Sequence, residues 1–243
     1  MAIQWSTTSA AGQSQGVKML VYSGAGAGKT SLCATAPKPV VISAEAGLLS
    51  LQPKNIARMY GADNPNVTYD IPVMQVTTMA QLVEAYTFFA NPQSGARDHF
   101  STICIDSLTE LAEVMLAGLK ATKSDPRQAY GELIDKMGAL VRQFRDLPGY
   151  HVYMSAKMEY SKDEGSGLTK YQPSMPGSKL GQQLPYFFDE VFHLGVNRTQ
   201  QGQTYRFLLT QPDMQYVAKD RSGSLDEMEM PALYNVINKI LGA

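Results

Sequence analysis

Residues 23–30 of this chain read Ser23-Gly24-Ala25-Gly26-Ala27-Gly28-Lys29-Thr30. Glycines at alternate positions let a backbone adopt positive φ angles and approach a ligand closely. Successive backbone N–H groups in such a turn point at an anion, and a following helix adds the positive end of its dipole. The stretch therefore predicts a phosphate-binding loop, which we extend by one residue to Ser31.

The two residues at the end of this loop carry the expected chemistry. Lys29 is expected to reach the β- and γ-phosphates of a nucleotide, and the Thr30 hydroxyl is expected to ligate Mg²⁺. The usual pattern G-x4-G-K-[ST] has glycine where this chain has Ser23, so Gly24 is expected to supply the tight turn. The predicted cofactors are ATP and Mg²⁺. A glycine-rich strand–helix corner without a ligand is the alternative.

A second motif is the run His-Phe-Ser-Thr-Ile-Cys-Ile-Asp-Ser at residues 99–107. An apolar, β-branched run that ends in an acid is typical of a buried parallel strand. In P-loop proteins the acid at the tip of such a strand supports Mg²⁺, and this role is predicted for Asp106. The alternative is that Asp106 caps the next helix, because Asp is a good N-cap and Glu110 follows near the third helical position.

The amino-acid composition limits the classes of protein to which this chain can belong. The chain has 243 residues, with 21 Lys and Arg against 22 Asp and Glu, so its net charge of −1 creates no general attraction to nucleic acid. Its two cysteines lie in apolar segments and fit a reducing cytoplasm. No apolar run reaches 18 residues, so no membrane contact is predicted. The length suits one domain, residues 17–243, after a flexible arm over residues 1–16.

Strand and helix patterns alternate along the chain. Apolar runs predict strands over 17–22, 39–43, 71–76 and 151–155, besides the one that ends at Asp106. Apolar residues three and four apart predict helices over 78–90, 107–120, 126–147 and 231–241. Two strands over 190–196 and 204–210 flank a polar turn and predict a hairpin, with a short strand over 215–218. The predicted fold is α/β, a mostly parallel sheet flanked by helices with antiparallel strands in the C-terminal part.

These motifs together resemble the RecA-like P-loop ATPases over roughly residues 17–241. More narrowly, they resemble short phage RecA-like proteins of the AAA type, some of which anneal single strands. Residues 40–47 match the RecA-like strand that ends in a glutamate, and the resemblance implies that Glu45 polarises the attacking water. Residues 103–109 match the Asp-Ser form of the magnesium strand. An exposed acid at the start of a helix is the alternative for Glu45.

Two further segments carry the narrower resemblance. One comprises residues 173–180, 184–185 and 188–191. The other, Ala218-Lys219-Asp220-Arg221, is similar to the Lys-x-Arg element of RadA- and KaiC-like proteins. The resemblance implies that Lys219 and Arg221 reach the γ-phosphate bound by a neighbouring subunit, and therefore a homo-oligomer, either ring or filament. A solvated turn is the alternative.

The segment after the strand at 151–155 contains the candidate sensors of the γ-phosphate and the candidate contacts with nucleic acid. Ser155 and Lys157 lie where RecA-like proteins place a sensor of the γ-phosphate, although the usual Gln or His is missing. Residues 158–178 predict a long loop, which the resemblance places against single-stranded DNA. Its candidate contacts, with one lysine just beyond the loop, are Tyr160, Lys162, Lys170, Tyr171 and Lys179. The neighbouring acids at 163 and 164 offset the lysines, and a mobile surface loop is the alternative.

The resulting prediction is a RecA-like protein that binds and hydrolyses ATP and acts on single-stranded DNA in phage recombination or strand annealing. Its implied location is the cytoplasm, that of a bacterial host if the chain is phage-encoded, and a single-strand binding protein is a further implied partner. A nucleotide-controlled oligomeric switch without nucleic acid, in the manner of KaiC-like proteins, is one alternative. A small-molecule P-loop kinase is another, although residues 158–178 contain no arginine for a lid.

Overall fold

The computed structural model describes Trp5, Thr7 and residues 16–45, 47–162, 165 and 167–242. Most of the predicted arm over residues 1–16 therefore lies outside the described residues. Within the described part of the chain, no helix is both long enough and apolar enough to cross a bilayer.

The described residues are organised around a central sheet. Its strands are β1 Lys18–Ser23, β2 Pro39–Ser43, β3 Val73–Gln75, β4 Thr102–Asp106, β5 His151–Lys162, β6 Thr169–Pro173, β7 Glu190–Arg198, β8 Thr204–Leu209, β9 Lys219–Asp220 and β10 Met228–Glu229. The order is β10-β8-β7-β1-β5-β4-β2-β3, and neighbours from β7 to β3 run parallel. Strands β6, β8, β9 and β10 pair antiparallel. The predicted α/β fold class, a mostly parallel sheet flanked by helices with antiparallel strands in the C-terminal part, is confirmed.

Helices cover both faces of the sheet. They are α1 Lys29–Leu32, α2 Pro53–Tyr60, α3 Met79–Ala90, α4 Ala96–His99, α5 Leu108–Thr122, α6 Pro126–Arg145, α7 Ser178–Gln183 and α8 Leu233–Leu241. Because side chains alternate along a strand, Leu20 and Tyr22 pack with α3, α5 and α6, while Met19 and Val21 pack with α1, α2 and α8. Burial on both faces explains why β1 and β4 read as continuous apolar runs.

The helix beginnings follow their capping residues. The Thr78 hydroxyl accepts a hydrogen bond from the Gln81 N–H, and the Gln81 side chain accepts one from the Thr78 N–H. These two bonds form a capping box at the start of α3. At α5 the cap is Ser107, whose Oγ accepts from the Glu110 N–H. Asp106 is therefore the last residue of β4 and not the helix cap, which removes the capping alternative for its carboxylate.

Residues 158–178 differ most from the prediction. In place of a long loop, β5 continues to Lys162 and pairs with β6 from Met158↔Pro173 to Lys162↔Thr169. A cross-strand pair of tyrosines, Tyr160 opposite Tyr171, favours this hairpin, since aromatic pairs stabilise antiparallel strands. The prediction of a strand over 215–218 is also wrong. Tyr216 forms a single bridge to Tyr171, and β9 begins only at Lys219.

Candidate functional site

The phosphate loop connects β1 to α1 at the carboxyl edge of the sheet. Gly26 has φ +75° and Gly28 has φ +114°, values that only glycine adopts readily. Gly24 is not among the residues with positive φ, but the chain bends at this position, so its part in the tight turn stays a prediction. Ser23 also shapes this end of the loop, because its Oγ donates to the Gly24 carbonyl at 3.1 Å.

Lys29 lies across the loop. Its Nζ donates to the carbonyl oxygens of Ser23 and Gly24 at 3.0 and 3.1 Å, and to Ser23 Oγ at 3.1 Å. Burial lowers the pKa of Lys29, and the carboxylates of Asp106 and Glu45 oppose this shift. The ammonium group therefore has the position and the neighbours expected of a phosphate-binding lysine.

The two predicted acids lie close to the same loop. Asp106 is buried, and its Oδ1 accepts a hydrogen bond from Ser155 Oγ on β5, the strand between β1 and β4. Glu45 follows β2, and its Oε1 accepts from Ser107 Oγ at 3.1 Å. Hydroxyl groups from neighbouring elements thus orient both carboxylates.

A single open cavity of about 560 Å³ brings these groups together. The predicted residues that line it are Ser23, Gly24, Ala25, Gly26, Gly28, Lys29, Thr30, Ser31, Glu45, Asp106 and Lys157. Ala27 and Ser155 are buried behind the lining. The Thr30 hydroxyl and the Asp106 carboxylate supply oxygen atoms, the ligands that Mg²⁺ prefers, so the donor set fits this ion.

The two sensor candidates are engaged in different ways. Ser155 is fully buried and donates to Asp106. Lys157 lines the cavity, but its Nζ lies 2.9 Å from a carboxylate oxygen of Glu110 and 2.9 Å from one of Glu113. Hydrogen bonds to these two acids raise the pKa of Lys157.

The candidate DNA contacts are divided between the hairpin and α7. Tyr160, Lys162 and Lys170 lie exposed on the hairpin, whereas Lys179 lies exposed on α7. Tyr171 is partly buried, and its ring stacks on Tyr216 with centroids 4.8 Å apart. Tyr216 in turn stacks on His193 at 4.0 Å.

Lys219 and Arg221 lie far from the phosphate loop of their own chain. Strand β9 pairs with the first residues of β7, at the amino edge of the parallel strands, whereas the loop lies at the carboxyl edge. Lys219 Nζ donates to the carbonyl oxygens of Pro185, at 2.8 Å, and Phe188. Arg221 pairs with Asp189 at 2.9 Å. Neither side chain reaches the cavity of its own chain.

Sequence reasoning missed Arg206 and Ser107. Arg206 lies on β8, and its Nε donates to the Ala27 carbonyl inside the phosphate loop at 2.8 Å. No local motif marks Arg206, because the pairing of β8 with β7 places it there. Ser107 had a local signal, since it follows Asp106 directly, but its contact with Glu45 depends on the pairing of β2 with β4.

Comparisons with known proteins identify the family to which this chain belongs. A family model described as an AAA domain matches residues 15–222. The chain belongs to this AAA domain family, and its site is that of a P-loop ATPase fold. Similar solved structures include the KaiC-like protein PH0186 from Pyrococcus horikoshii OT3, with 14% identity, a TM-score of 0.40, and coverage of 80% of this chain and 78% of that one. The RadB recombinase has 13% identity, a TM-score of 0.47, and coverage of 81% and 89%. No curated protein matches the sequence.

Proposed function

We propose that this protein binds ATP with Mg²⁺ and hydrolyses it. One observation carries the proposal: a single cavity gathers the phosphate loop, Lys29, Thr30 and two acids, of which Asp106 ends β4 and Glu45 follows β2. Phosphoryl transfer needs mainly positioning and charge stabilisation, and these groups are the ones that supply both.

Each residue has a distinct part in this proposal. The N–H groups of the loop and the Lys29 ammonium bind the β- and γ-phosphates, while Thr30 and Asp106 would hold Mg²⁺. When bound, Mg²⁺ neutralises negative charge on the phosphate oxygens. Glu45 orients the attacking water and accepts its proton, and the Ser107 hydroxyl fixes the direction of that carboxylate.

The phosphate-binding part is tested with Lys29→Ala, compared with Lys54→Ala at an exposed position on α2. We expect Lys29→Ala to abolish Mg·ATP binding by calorimetry and hydrolysis by phosphate release, and Lys54→Ala to change neither. Normal hydrolysis by Lys29→Ala would refute the proposal.

The catalytic part is tested with Glu45→Gln, compared with Glu84→Gln on the exposed face of α3. Because the amide cannot accept a proton, we expect turnover to fall by about 10²-fold or more while ATP still binds. Unchanged turnover would remove Glu45 from this role.

We propose single-stranded DNA as the partner, in recombination or annealing of the phage type. Lys157 lies opposite Ser23, where β1 ends, and β5 continues five residues further to Lys162. The hairpin therefore projects from the edge that holds the nucleotide cavity, with Tyr160 75% exposed near its end. Positive charge beside an exposed aromatic ring suits a flexible single strand.

The contacts among the aromatic rings indicate which tyrosine is free to stack on a base of the DNA. Both faces of Tyr216 are covered, by His193 and by Tyr171, and Tyr171 is covered on one side by Tyr216. Tyr160 makes only a tilted contact with Tyr171, at 6.4 Å between centroids. Tyr160 is therefore the ring proposed to stack on a base.

The partner is tested by ATP hydrolysis with and without a poly-dT oligonucleotide at low and moderate salt. We expect stimulation that fades with salt, because phosphate contacts release counterions. Tyr160→Ala should reduce it severalfold, whereas Tyr186→Ala, equally exposed but on the α7–β7 connection, should not. Hydrolysis indifferent to DNA at both salts would refute the DNA proposal and favour the nucleotide-controlled switch.

A further inference from the structure

Arg206 contacts the phosphate loop from outside the phosphate cavity. It lies on β8 opposite Val196 of β7, further along β7 than His193, which pairs with Tyr22 near the end of β1. The hairpin of β7 and β8 therefore extends past the end of β1 and runs beside the loop. Arg206 is not among the described residues that line the phosphate cavity, so it contacts the loop but not the space proposed for the phosphates.

Packing on both faces of β8 fixes the position of Arg206. Leu208, on the same face of the strand, is fully buried and belongs to the same apolar cluster as Ala27 of the loop. On the opposite face Phe207 covers Gly195, where a Cβ would come within 2.3 Å of the Phe207 ring. The arginine is therefore held beside the loop by its own strand.

The Arg206 side chain binds one peptide group of the loop. Its Nε donates to the Ala27 carbonyl oxygen at 2.8 Å. Gly28 allows this close approach, because a Cβ there would lie 3.5 Å from the same nitrogen. Since the donor is a permanently charged guanidinium, this hydrogen bond is stronger than one between neutral groups.

The Ala27 carbonyl and the Gly28 N–H belong to the same peptide group. In a planar trans peptide these two bonds point in opposite directions. Gly28 lines the phosphate cavity, and its N–H donates to no backbone acceptor among the residues that the structure describes. With its oxygen held by Arg206 outside the cavity, the peptide therefore directs its N–H toward the cavity. A cation on the oxygen also polarises the peptide and makes the N–H a stronger donor.

We propose that Arg206 is a positioning residue of the phosphate site, which orients and polarises the Gly28 N–H for a hydrogen bond to a phosphate oxygen. The proposal rests on the proposed nucleotide binding. It adds to that site a residue that is 179 positions away from Ala27 in the chain and that does not touch the ligand.

The first test is calorimetric binding of Mg·pyrophosphate, a probe of the phosphate site alone, to the full chain. Arg206→Met keeps the length of the side chain but removes its charge and donors, and we expect it to weaken binding by about tenfold. Arg206→Lys keeps a charged donor and should stay within about threefold of the wild type. Arg198→Met, at an exposed position at the end of β7, is the matched control and should change nothing.

A second measurement separates orientation of this peptide from a general effect on folding. Isotope labelling of alanine carbonyls and glycine nitrogens selects, by NMR, the amides that follow an alanine, among them Gly26 and Gly28. In the wild type we expect both amide protons to shift when pyrophosphate binds. At saturating pyrophosphate, Arg206→Met should lose most of the shift at Gly28 and keep the shift at Gly26, whose peptide Arg206 does not hold.

The outcomes separate this proposal from the proposed nucleotide binding. Wild-type affinity in Arg206→Met, equal weakening in the Met and Lys variants, or equal loss of shift at Gly26 and Gly28 would each overturn the role of Arg206. The nucleotide site would stand in all three cases. If the wild-type chain binds no Mg·pyrophosphate, the proposed nucleotide binding fails, and the role of Arg206 fails with it.

Discussion

At the phosphate loop, two glycines place different demands on the backbone. Gly28 has φ +114°, and a Cβ there would lie 3.3 Å from Ser31 Oγ and 3.5 Å from Arg206 Nε. Gly24 has no positive φ, and a Cβ would meet no described atom within 4 Å. The glycine pattern is one motif in the sequence, but its positions are not equivalent in the structure.

This difference gives a matched pair of substitutions. We expect Gly28→Ala to lower the free energy of unfolding by about 1–3 kcal/mol, because alanine is strained at positive φ. Gly24→Ala should change it by less than about 0.5 kcal/mol. Urea denaturation measures both, and equal destabilisation by the two variants would contradict the conclusion that the backbone requires glycine at Gly28 and not at Gly24.

Glu190 is a buried acid whose ionisation opposes folding. Its side chain is 1% exposed, and its Oε2 has no hydrogen-bond partner among the described residues. Burial, with the nearby Asp220 carboxylate, raises the pKa of Glu190 to about 8. Between the ordinary pKa of a glutamate and pH 8 the unfolded chain ionises first, so the free energy of unfolding falls as pH rises through this window.

Glu190→Gln should remove this pH dependence, because glutamine resembles the protonated acid. We compare the free energy of unfolding of the variant with that of the wild type at each pH. This difference should rise in favour of the variant by about 2–4 kcal/mol between pH 5 and pH 8. Glu227→Gln, at an exposed position, is the control and should gain nothing. Burial also lowers the pKa of His193 to about 4, but His193 is present in all three proteins and cancels in the comparison. If the difference in free energy of unfolding between Glu190→Gln and the wild type stays constant from pH 5 to pH 8, the raised pKa of Glu190 is contradicted.

At the scale of elements, Tyr22 ties the strand before the phosphate loop to the hairpin. Its hydroxyl lies 2.8 Å from the Val217 carbonyl oxygen and 3.1 Å from that of Tyr171 on β6. The chain separation is 195 residues for the first contact and 149 for the second. A movement of the hairpin therefore acts on β1 one residue before the loop begins.

Removal of this hydroxyl should loosen the hairpin. We expect Tyr22→Phe to destabilise the fold by about 1–2 kcal/mol, because a mostly buried hydrogen bond is lost, and to speed amide hydrogen exchange in β6. Tyr86→Phe is the control, because its hydroxyl makes no hydrogen bond to a described residue. Unchanged exchange in β6 would show that Tyr22 does not hold the hairpin.

The elements also show how far sequence patterns reach. The strand β2 and the starts of α3 and α6 were predicted within one residue, because each depends on neighbouring residues. The hairpin over 158–173 was not, because its glycine, serine and lysine content is typical of a loop. Its strands form through cross-strand pairs such as Tyr160↔Tyr171, which no local pattern contains.

At the scale of the whole molecule, the sheet separates two predicted parts of one catalytic site. The phosphate loop lies at the carboxyl edge of the parallel strands, and Lys219 and Arg221 lie at the amino edge. Because these residues cannot reach their own loop, a catalytic role for them requires a neighbouring subunit. Head-to-tail packing of subunits, in a ring or a filament, is the arrangement that would join the two edges.

Mixing two inactive variants tests this arrangement. We expect Lys29→Ala and the double variant Lys219→Ala/Arg221→Ala each to hydrolyse ATP at least about tenfold more slowly than wild type. A mixture should recover activity, because some junctions then combine an intact loop with intact basic residues. Full activity of the double variant, or no recovery in the mixture, would contradict a role across subunits.

The sequence alone determined the class of fold and the phosphate loop, because both depend on local properties. Glycine spacing governs the backbone of the loop, and continuous apolar runs identify strands that are buried on both faces. Only the tertiary structure decided the contacts of Ser155 with Asp106, Ser107 with Glu45 and Arg206 with Ala27, the last two being 62 and 179 residues apart. Strand order sets these contacts, and strand order follows from packing of the whole chain, which no local pattern records.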